Sequence, residues 1–488
     1  MSPSQKNNKQ PPRVLFATPE CAPLVKTGGL GDVSAALPAA LHAMGVDVRV
    51  LLPGYPAVKE ADPKAAELAT IKVLGHKVRL LDSKLPSGVP LIVVDAPDLY
   101  ERLGGPYQQD GGADWQDNSM RFGILSLVAA ILGTEVSPLE WRPQVVHCND
   151  WPTALAPLFL RFAPGPHAAS LVTVHNLAFQ GVFPYSEVES LELPHESLGV
   201  EGLEFYGKVS FLKGGLVYAD AINAVSATYA REIQTPELGF GLDGVLRARA
   251  KSVHGILNGI DMALWDPATD PWIPSRYDAA SLEKKAANKR ALKERLGIPG
   301  PDDVPLAAIV SRLTHQKGID LIVEAMPALA RIPVQVAIVG SGEHALVEQI
   351  RAAQLRHPGH LGSFIGFDEG VAHLVEAGAD MFLMPSRYEP CGMNQMYSQR
   401  YGTPPVAHAT GGLVDTIVDD ADGNEGTGFF MKELTAQGLV GGVQRAVAAY
   451  RDRAHWSRLQ TNGMARDFGW ERAARAYADL YARITPTS

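Results

Sequence analysis

The 488-residue chain has only three cysteines, Cys21, Cys148 and Cys391, and no C-x-x-C pair among them. Neither a disulfide framework nor a zinc site is therefore expected. Positive charge is also scarce: 44 Lys and Arg face 53 Asp and Glu, a net charge of -9. Nucleic acid and anionic membrane surfaces favour a basic stripe, so neither is expected as a partner. Long apolar runs are absent too. The longest, residues 124–132, is far short of the ~20 residues that a membrane span needs. Residues 1–13 are polar and basic with no apolar stretch behind them, unlike a secretion signal. A cytoplasmic protein is expected. Hydrophobic content of 46% and charged content of 20% suit a globular chain, with room for two or three domains.

What is present is alternation of strand and helix patterns. An apolar strand over 14–17 is followed about ten residues later by Val25-Lys26-Thr27-Gly28-Gly29-Leu30-Gly31-Asp32-Val33. Glycines let backbone N–H groups approach an anion, and Lys26 adds a point charge. A helix is expected next, because Val33, Ala36, Leu37, Ala40 and Leu41 share one face. A strand over 46–52 completes the opening of a nucleotide-handling α/β domain. Further strands are expected at 91–94, 145–148, 171–174, 221–225 and 256–257. After a Pro- and Asp-rich stretch and a charged helix near 281–296, they resume at 306–310, 334–339, 363–365, 381–385 and 405–407. The fold class implied is α/β, with doubly wound, mostly parallel sheets covered by helices. The expected divisions are a disordered tail over 1–12, a first domain over 13–262, a linker with its helix over 263–303, and a second domain over 304–467. A closing helix over 468–488 carries Trp470, Ala473, Tyr477, Leu480 and Tyr481 on one side and is expected to pack back on the first domain.

Doubly wound sheets bind ligands at the carboxyl ends of their strands, so chemistry is expected in the loops there. Ser311-Arg312-Leu313-Thr314-His315-Gln316-Lys317-Gly318 follows the 306–310 strand. It offers one anion Arg312 as a bidentate fork and Lys317 as a point charge; two solvated surface cations are the plainer alternative. Pro385-Ser386-Arg387-Tyr388-Glu389-Pro390-Cys391-Gly392-Met393 sets Glu389 just before a helix start that suits phosphate oxygens. A carboxylate there binds sugar hydroxyls and counters developing positive charge, or simply caps the helix. Thr410-Gly411-Gly412-Leu413 reads as a further phosphate-facing helix start. His175, at the end of Thr173-Val174-His175-Asn176, is either a satisfied structural residue or a ligand contact. Asp420-Ala421-Asp422-Gly423-Asn424 has a loose calcium-loop spacing, but its glycine is misplaced and Met431 stands where Glu is needed. It reads as an acidic surface turn, and no metal or other cofactor is expected.

Taken in order, six segments resemble the bacterial and plant glycogen/starch synthases over nearly the whole chain. They are Lys26-Thr27-Gly28-Gly29-Leu30, Thr173-Val174-His175-Asn176-Leu177, Ile256-Leu257-Asn258-Gly259-Ile260-Asp261, Arg312 with Lys317, Glu389-Pro390-Cys391-Gly392, and Thr410-Gly411-Gly412-Leu413. The resemblance implies two facing Rossmann-like domains (the GT-B arrangement), ADP-glucose as donor and the non-reducing end of glycogen or another α-1,4-glucan as acceptor. It implies retention of configuration, with Arg312 and Lys317 on the diphosphate, Glu389 facing the glucose and His175 near the reacting carbon. Lys26, Gly28, Gly29 and Asp32 are implied against the donor, as are Cys391, Gly392, Thr410, Gly411 and Gly412. Asp150 and Asn258 are implied at donor-sugar or acceptor positions. The chain departs from relatives at Pro152, where His is common, and at Phe367, where Tyr is common.

Breaking an anomeric carbon–diphosphate bond leaves positive charge on the sugar and negative charge on the leaving group, so cations and helix starts should stabilise departure. One placed acid without a partner argues against a two-carboxylate double displacement and for a front-face displacement. A nicotinamide-dependent oxidoreductase is the competing enzyme class, from Gly29-Leu30-Gly31-Asp32-Val33-Ser34. Its glycines sit too far beyond the strand, and Pro53-Gly54 stands where an acid is required. Sucrose- or trehalose-type synthases and nucleotide-sugar epimerases share the two-domain plan but not the Lys26–Leu30 motif. A non-catalytic glucan binder could stack sugars on Tyr107, Trp115 and Trp151, yet has no use for Arg312 and Lys317. Oligomeric state is left open.

Overall fold

A computed structural model describes residues 11–110, 112–421 and 424–485 of the chain. The expected tail lies outside these residues except for its last two, as do Asp422 and Gly423 of the acidic turn. The chain divides into two compact units, residues 1–259 with 470–488, and residues 260–469.

In the first unit the strands are β1 (Val14–Ala17), β2 (Val48–Pro53), β3 (Ala66–Val73), β4 (His76–Lys84), β5 (Pro90–Asp95), β6 (Val145–Asn149) and β7 (Ala169–Val174). They continue as β8 (Val182–Phe183), β9 (Glu204–Phe205), β10 (Lys208–Ser210), β11 (Ala221–Ala224) and β12 (Val253–Gly255). Among the described residues nine of them form one sheet in the order β12-β11-β7-β6-β1-β2-β5-β4-β3. Pairing is parallel from β12 through β5 and antiparallel at β5-β4-β3. Every residue of β1, β6, β7 and β11 is buried, which explains why they read as unbroken apolar runs. The short strands β8, β10 and β9 make a separate antiparallel sheet.

One expectation needs correction here, and one element was not foreseen. The strand expected at 256–257 lies earlier, at Val253–Gly255; it is an edge strand with no fully buried residue, so it lacks an apolar run. The β3–β4 hairpin escaped notice because β3 is mostly exposed and its turn residue is Leu74, at φ 46, before Gly75 at φ 84. A turn with both φ values positive is normally signalled by Asn-Gly or Asp-Gly.

The helix Gly29–Ala43 buries Leu30, Val33, Leu37 and Leu41. The closing helix Trp470–Ile484 lies against it and buries all five residues expected on its inner side. Its Tyr481 hydroxyl meets His147 Nδ1 at 2.8 Å, while His147 Nε2 meets Thr173 Oγ1 at 2.7 Å. Asn223 Nδ2 donates to Tyr477 Oη at 2.8 Å.

The second unit has β13 (Leu306–Val310), β14 (Gln335–Gly340), β15 (Leu361–Ile365), β16 (Met381–Met384), β17 (Pro405–Ala407) and β18 (Phe429–Phe430). Its sheet is parallel throughout, in the order β15-β14-β13-β16-β17-β18. Residues between 263 and 303 are built into this body. Trp265 stacks between His373 and Tyr397, each ring centroid at 3.9 Å. Buried Lys285, its pKa pushed down to about 7 by that burial, donates to Ala377 O at 2.8 Å and Thr403 Oγ1 at 2.7 Å.

In the parallel part of each sheet the strand order reverses direction once, between β1 and β6 in the first and between β13 and β16 in the second. Such switch points leave an uncovered crevice at the strands' carboxyl ends.

Removing the Tyr481 hydroxyl leaves one nitrogen of a fully buried imidazole unpartnered. Tyr481→Phe should cost about 1–3 kcal/mol, read as a lower urea midpoint for unfolding.

Candidate active site

At the first unit's switch point the chain leaves β1 through a tight loop closed by reciprocal bonds, Cys21 N to Val25 O at 2.9 Å and Val25 N to Cys21 O at 3.0 Å. This closure brings Glu20 beside the Lys26–Gly31 segment. Glu20 is 3% exposed. Its Oε2 accepts the amides of Thr27 at 2.6 Å and Gly28 at 3.2 Å, and its Oε1 accepts the Tyr107 hydroxyl at 2.9 Å. Burial raises its pKa against these donors. The loop glycines were expected to cradle an external anion; instead the protein's own carboxylate takes the Thr27 and Gly28 amides. The amides of Gly29 and Leu30, at the start of the helix, make no hydrogen bond among the described residues. Lys26 Nζ pairs with Asp32 Oδ1 at 2.8 Å, both side chains partly exposed, a contact contributing about 0–1 kcal/mol. Gly28 faces open space: a Cβ placed there meets nothing within 4 Å.

The loops after β6 and β7 meet beside it. Asp150 holds φ at 55 with ψ at -173, a conformation costly for a residue with a Cβ. Its Oδ1 accepts the amides of His175 at 2.7 Å and Asn176 at 3.4 Å. Burial nevertheless raises the Asp150 pKa to about 7. His175 Nε2 meets Asn149 Oδ1 at 3.0 Å, and burial lowers its pKa to about 3, so the imidazole is neutral at ordinary pH. Asn258 is buried, and its Oδ1 has no hydrogen-bond partner among the described residues. An orphaned buried acceptor of this kind suits a hydroxyl donor from a ligand.

At the second unit's switch point the 311–318 loop after β13 meets the 385–393 loop after β16. Lys317 Nζ lies 2.6 Å from Glu389 Oε2, with side-chain exposures of 18% and 6%. Ser386 Oγ donates to the same oxygen at 3.0 Å; Oε1 has no partner among the described residues. Arg312 is exposed, and its guanidinium makes no hydrogen bond among the described residues. Lys317 and Glu389 are therefore brought into contact, whereas the Arg312 guanidinium bonds to neither among the described residues. Arg387, in the same loop, forms a bidentate pair with Asp320 at 2.8 and 2.7 Å.

The glycine pair after β17 serves close packing. Gly411 has φ 46, and a Cβ there would sit 1.9 Å from Glu389 O; one on Gly412 would sit 1.9 Å from Cys391 O. Gly412 N donates to Glu389 O at 3.0 Å. This amide, expected to face a donor phosphate, instead fixes the loop that carries Glu389. Thr410 and Cys391 are buried beside it, and Gly392 turns the chain at φ 69 into the helix Asn394–Arg400.

Three aromatic residues named as sugar platforms are otherwise engaged. Tyr107 serves Glu20. Trp115 lies under Arg102 and Arg121, at 5.2 and 5.7 Å. Trp151 packs among Phe122, Phe183 and Phe211. Pro152 is buried in the turn Trp151–Thr153, and Phe367 is 80% exposed. Glu20 and Asn149 are the polar groups that the sequence reading missed; the available signal was their position at or just beyond the carboxyl end of a buried strand.

Residues 13–248 match a family model described as the starch synthase catalytic domain, and residues 290–461 one described as glycosyl transferases group 1. A glycogen synthase from Aromatoleum aromaticum is 55% identical over 478 residues, covering 97% of each chain. The chain belongs to the glycogen synthase family. A second glycogen synthase, from Nitrosomonas eutropha, is 51% identical over 482 residues, covering 97% of this chain and 96% of the relative. The catalytic domain of starch synthase IV from Arabidopsis thaliana, solved with ADP and acarbose, aligns at TM-score 0.85 and 30% identity, covering 97% of this chain and 99% of that one. Sucrose-phosphate synthase from Thermosynechococcus elongatus, at TM-score 0.59 and 20% identity, shares the fold. This member of the glycogen synthase family is thus a glycosyltransferase with two Rossmann-like α/β domains of the GT-B type. The family resemblance and fold class read from the sequence hold, and the oxidoreductase alternative falls. Among the described residues no helix is long and apolar enough to cross a membrane.

The two glycine environments give opposite expectations. Gly411→Ala should lower the thermal midpoint by several degrees, because the new methyl meets a carbonyl and a left-handed backbone. Gly28→Ala, in extended backbone at φ -155 with open space beside it, should leave the midpoint within about 1 °C. Differential scanning fluorimetry of both variants checks the contrast.

Proposed function

We propose that this glycosyltransferase elongates an α-1,4-glucan in the cytoplasm, moving glucose from ADP-glucose to the non-reducing end with retention and releasing ADP. The observation that carries the reading is the Lys317–Glu389 pair at a switch point, inside a chain about half identical to glycogen synthases over nearly its whole length. The ADP in the starch synthase IV structure supports an adenine diphosphate donor.

In this reading Lys317 and Arg312 take the diphosphate. Their charge stabilises the leaving group as the bond from its oxygen to the anomeric carbon lengthens. Glu389, fixed by Ser386 and Lys317, turns its open Oε1 to the glucose, and His175 contacts the sugar as a neutral hydrogen-bonding group. Asp150 and Asn258 bind sugar hydroxyls, while Lys26, Gly28, Gly29 and Asp32 form the donor-facing surface of the first unit. Thr410, Gly411, Gly412, Cys391 and Gly392 hold the Glu389 loop against the donor. A double displacement needs a second carboxylate about 5–5.5 Å from the first. Asp320, in the first turn of the helix Ile319–Leu329, is committed to Arg387. A front-face displacement is therefore favoured: the acceptor O4 bonds to the anomeric carbon, and its proton goes to the departing phosphate.

Offering ADP-glucose and UDP-glucose separately with glycogen, and following nucleoside diphosphate release, tests the proposal. ADP-glucose should be the better donor, and Lys317→Ala should lose about 10²–10⁴ in kcat with its circular dichroism unchanged. Near-normal turnover in that variant overturns the leaving-group role.

Asp150 supplies a pH signature. Its raised pKa leaves it largely protonated below about pH 7, so kcat/KM should rise as pH climbs through that value. Asp150→Asn should abolish this inflection, as measured by initial rates from pH 5.5 to 9.

A further inference from the structure

The geometry points to Glu20 as a positioning residue that holds the 25–31 loop, and with it Lys26, in the shape that receives the donor. This rests on the donor-facing reading of that loop, but it names a residue that none of the six motifs contains.

The loop between β1 and the helix Gly29–Ala43 has few partners from the sheet, so its polar groups need a local anchor. Glu20 provides it: Oε2 gathers the consecutive amides of Thr27 and Gly28 at 2.6 and 3.2 Å. Oε1 is held at 2.9 Å by Tyr107, which is far along the chain. The carboxylate thus ties the loop to a second segment of the first unit. A Cβ on Gly31 would lie 3.2 Å from Glu20 Oε2 and 3.1 Å from Lys26 Cγ, which places the Lys26 stem over Gly31 beside that carboxylate. Ala22 N donates to Gly31 O at 3.0 Å and closes the far side. With Thr27 and Gly28 occupied, the helix start presents the amides of Gly29 and Leu30, which have no hydrogen bond among the described residues. Glu20 thereby decides which amides remain for an anionic ligand. It need not touch the ligand itself.

Full-length Glu20→Ala, Glu20→Gln and Tyr107→Phe proteins test this through two readouts. The first is hydrogen exchange of the peptide spanning 25–31. The second is KM for ADP-glucose, measured alone and in a Lys26→Ala background. Glu20→Ala should speed exchange of that peptide and raise the donor KM by about tenfold or more, the scale expected when charge-assisted bonds that orient a binding loop are lost. Glu20→Gln keeps an oxygen that accepts both amides and should stay within about threefold of the parent. Tyr107→Phe removes only the lateral tie and should fall between them; it carries the test should Glu20→Ala fail to fold. In the Lys26→Ala background the Glu20→Ala effect should shrink below about twofold, the mark of two residues acting through one element.

Unchanged exchange in Glu20→Ala, or equal losses in the Gln and Ala variants, overturns the proposal. So does a Glu20→Ala penalty that is undiminished when Lys26→Ala has already raised KM. Faster exchange together with an unaltered KM in Lys26→Ala sustains Glu20 as the loop's anchor and removes the donor role of Lys26 instead.

Discussion

Two reversals in strand order govern the chemistry of this chain. Along most of each sheet a strand hands on to its neighbour through a crossover that covers the strand ends. Between β1 and β6, and between β13 and β16, the chain departs to opposite sides, and no crossover can close over the gap. The loops at those points draw only a few hydrogen bonds from the sheet, such as Thr18 N to Leu51 O and Asp150 N to Thr173 O at 3.0 Å each, so their remaining buried polar groups satisfy one another. Glu20 with Thr27 and Gly28, Asp150 with His175 and Asn176, and Glu389 with Lys317 are three solutions to that one problem. Each is a carboxylate, because a carboxylate accepts several donors at once.

The two units solve it with different charge. In the first, Glu20 and Asp150 bond to backbone amides and a phenol, which are neutral, and burial raises both their pKa values. In the second, Glu389 is met by an ammonium. The neighbours Asp150 and His175 then oppose each other in linkage. Asp150 moves from an ordinary 3.8 up to about 7, so the folded state holds the extra proton between those values and stability falls as pH rises through them. His175 moves from 6.5 down to about 3, so there the unfolded state holds the extra proton and stability rises with pH. From about 3.8 to 6.5 the two slopes have opposite sign and largely cancel.

What could be read in the sequence was whatever depends on burial or on motif. β1, β6, β7, β11 and β13 to β17 announce themselves as apolar runs, and the loops that follow carry their glycines, prolines and charges in order. The closing helix was legible because its whole inner side had to be covered. Hairpins with Leu74 or Tyr206 at a positive φ, 46 and 49, were not, since a residue tolerated in a turn leaves no mark in the chain. Nor was the destination of individual amides. The pattern Lys-Thr-Gly-Gly-Leu says that N–H groups cluster; it does not say that Glu20, several residues earlier, already claims two of them. Gly412 shows the same limit. Its glycine identity is dictated by a carbonyl it nearly touches, and its amide is spent on that same loop.

The charge states also narrow where the acceptor's proton goes in the proposed transfer. A base suited to neutral pH is required. His175, held near 3 by burial, is too weak to accept a proton from a hydroxyl. Asp150 is better matched at about 7, yet its Oδ1 holds the amides of His175 and Asn176, so protonating it would loosen the loop on which His175 depends. Glu389 has Oε2 already filled by donors from Lys317 and Ser386, so that oxygen has no open position for the acceptor's proton. The departing phosphate, with a second ionisation near 6, gains basicity as the bond to carbon breaks. It alone among these groups becomes a stronger base in step with the reaction that needs one.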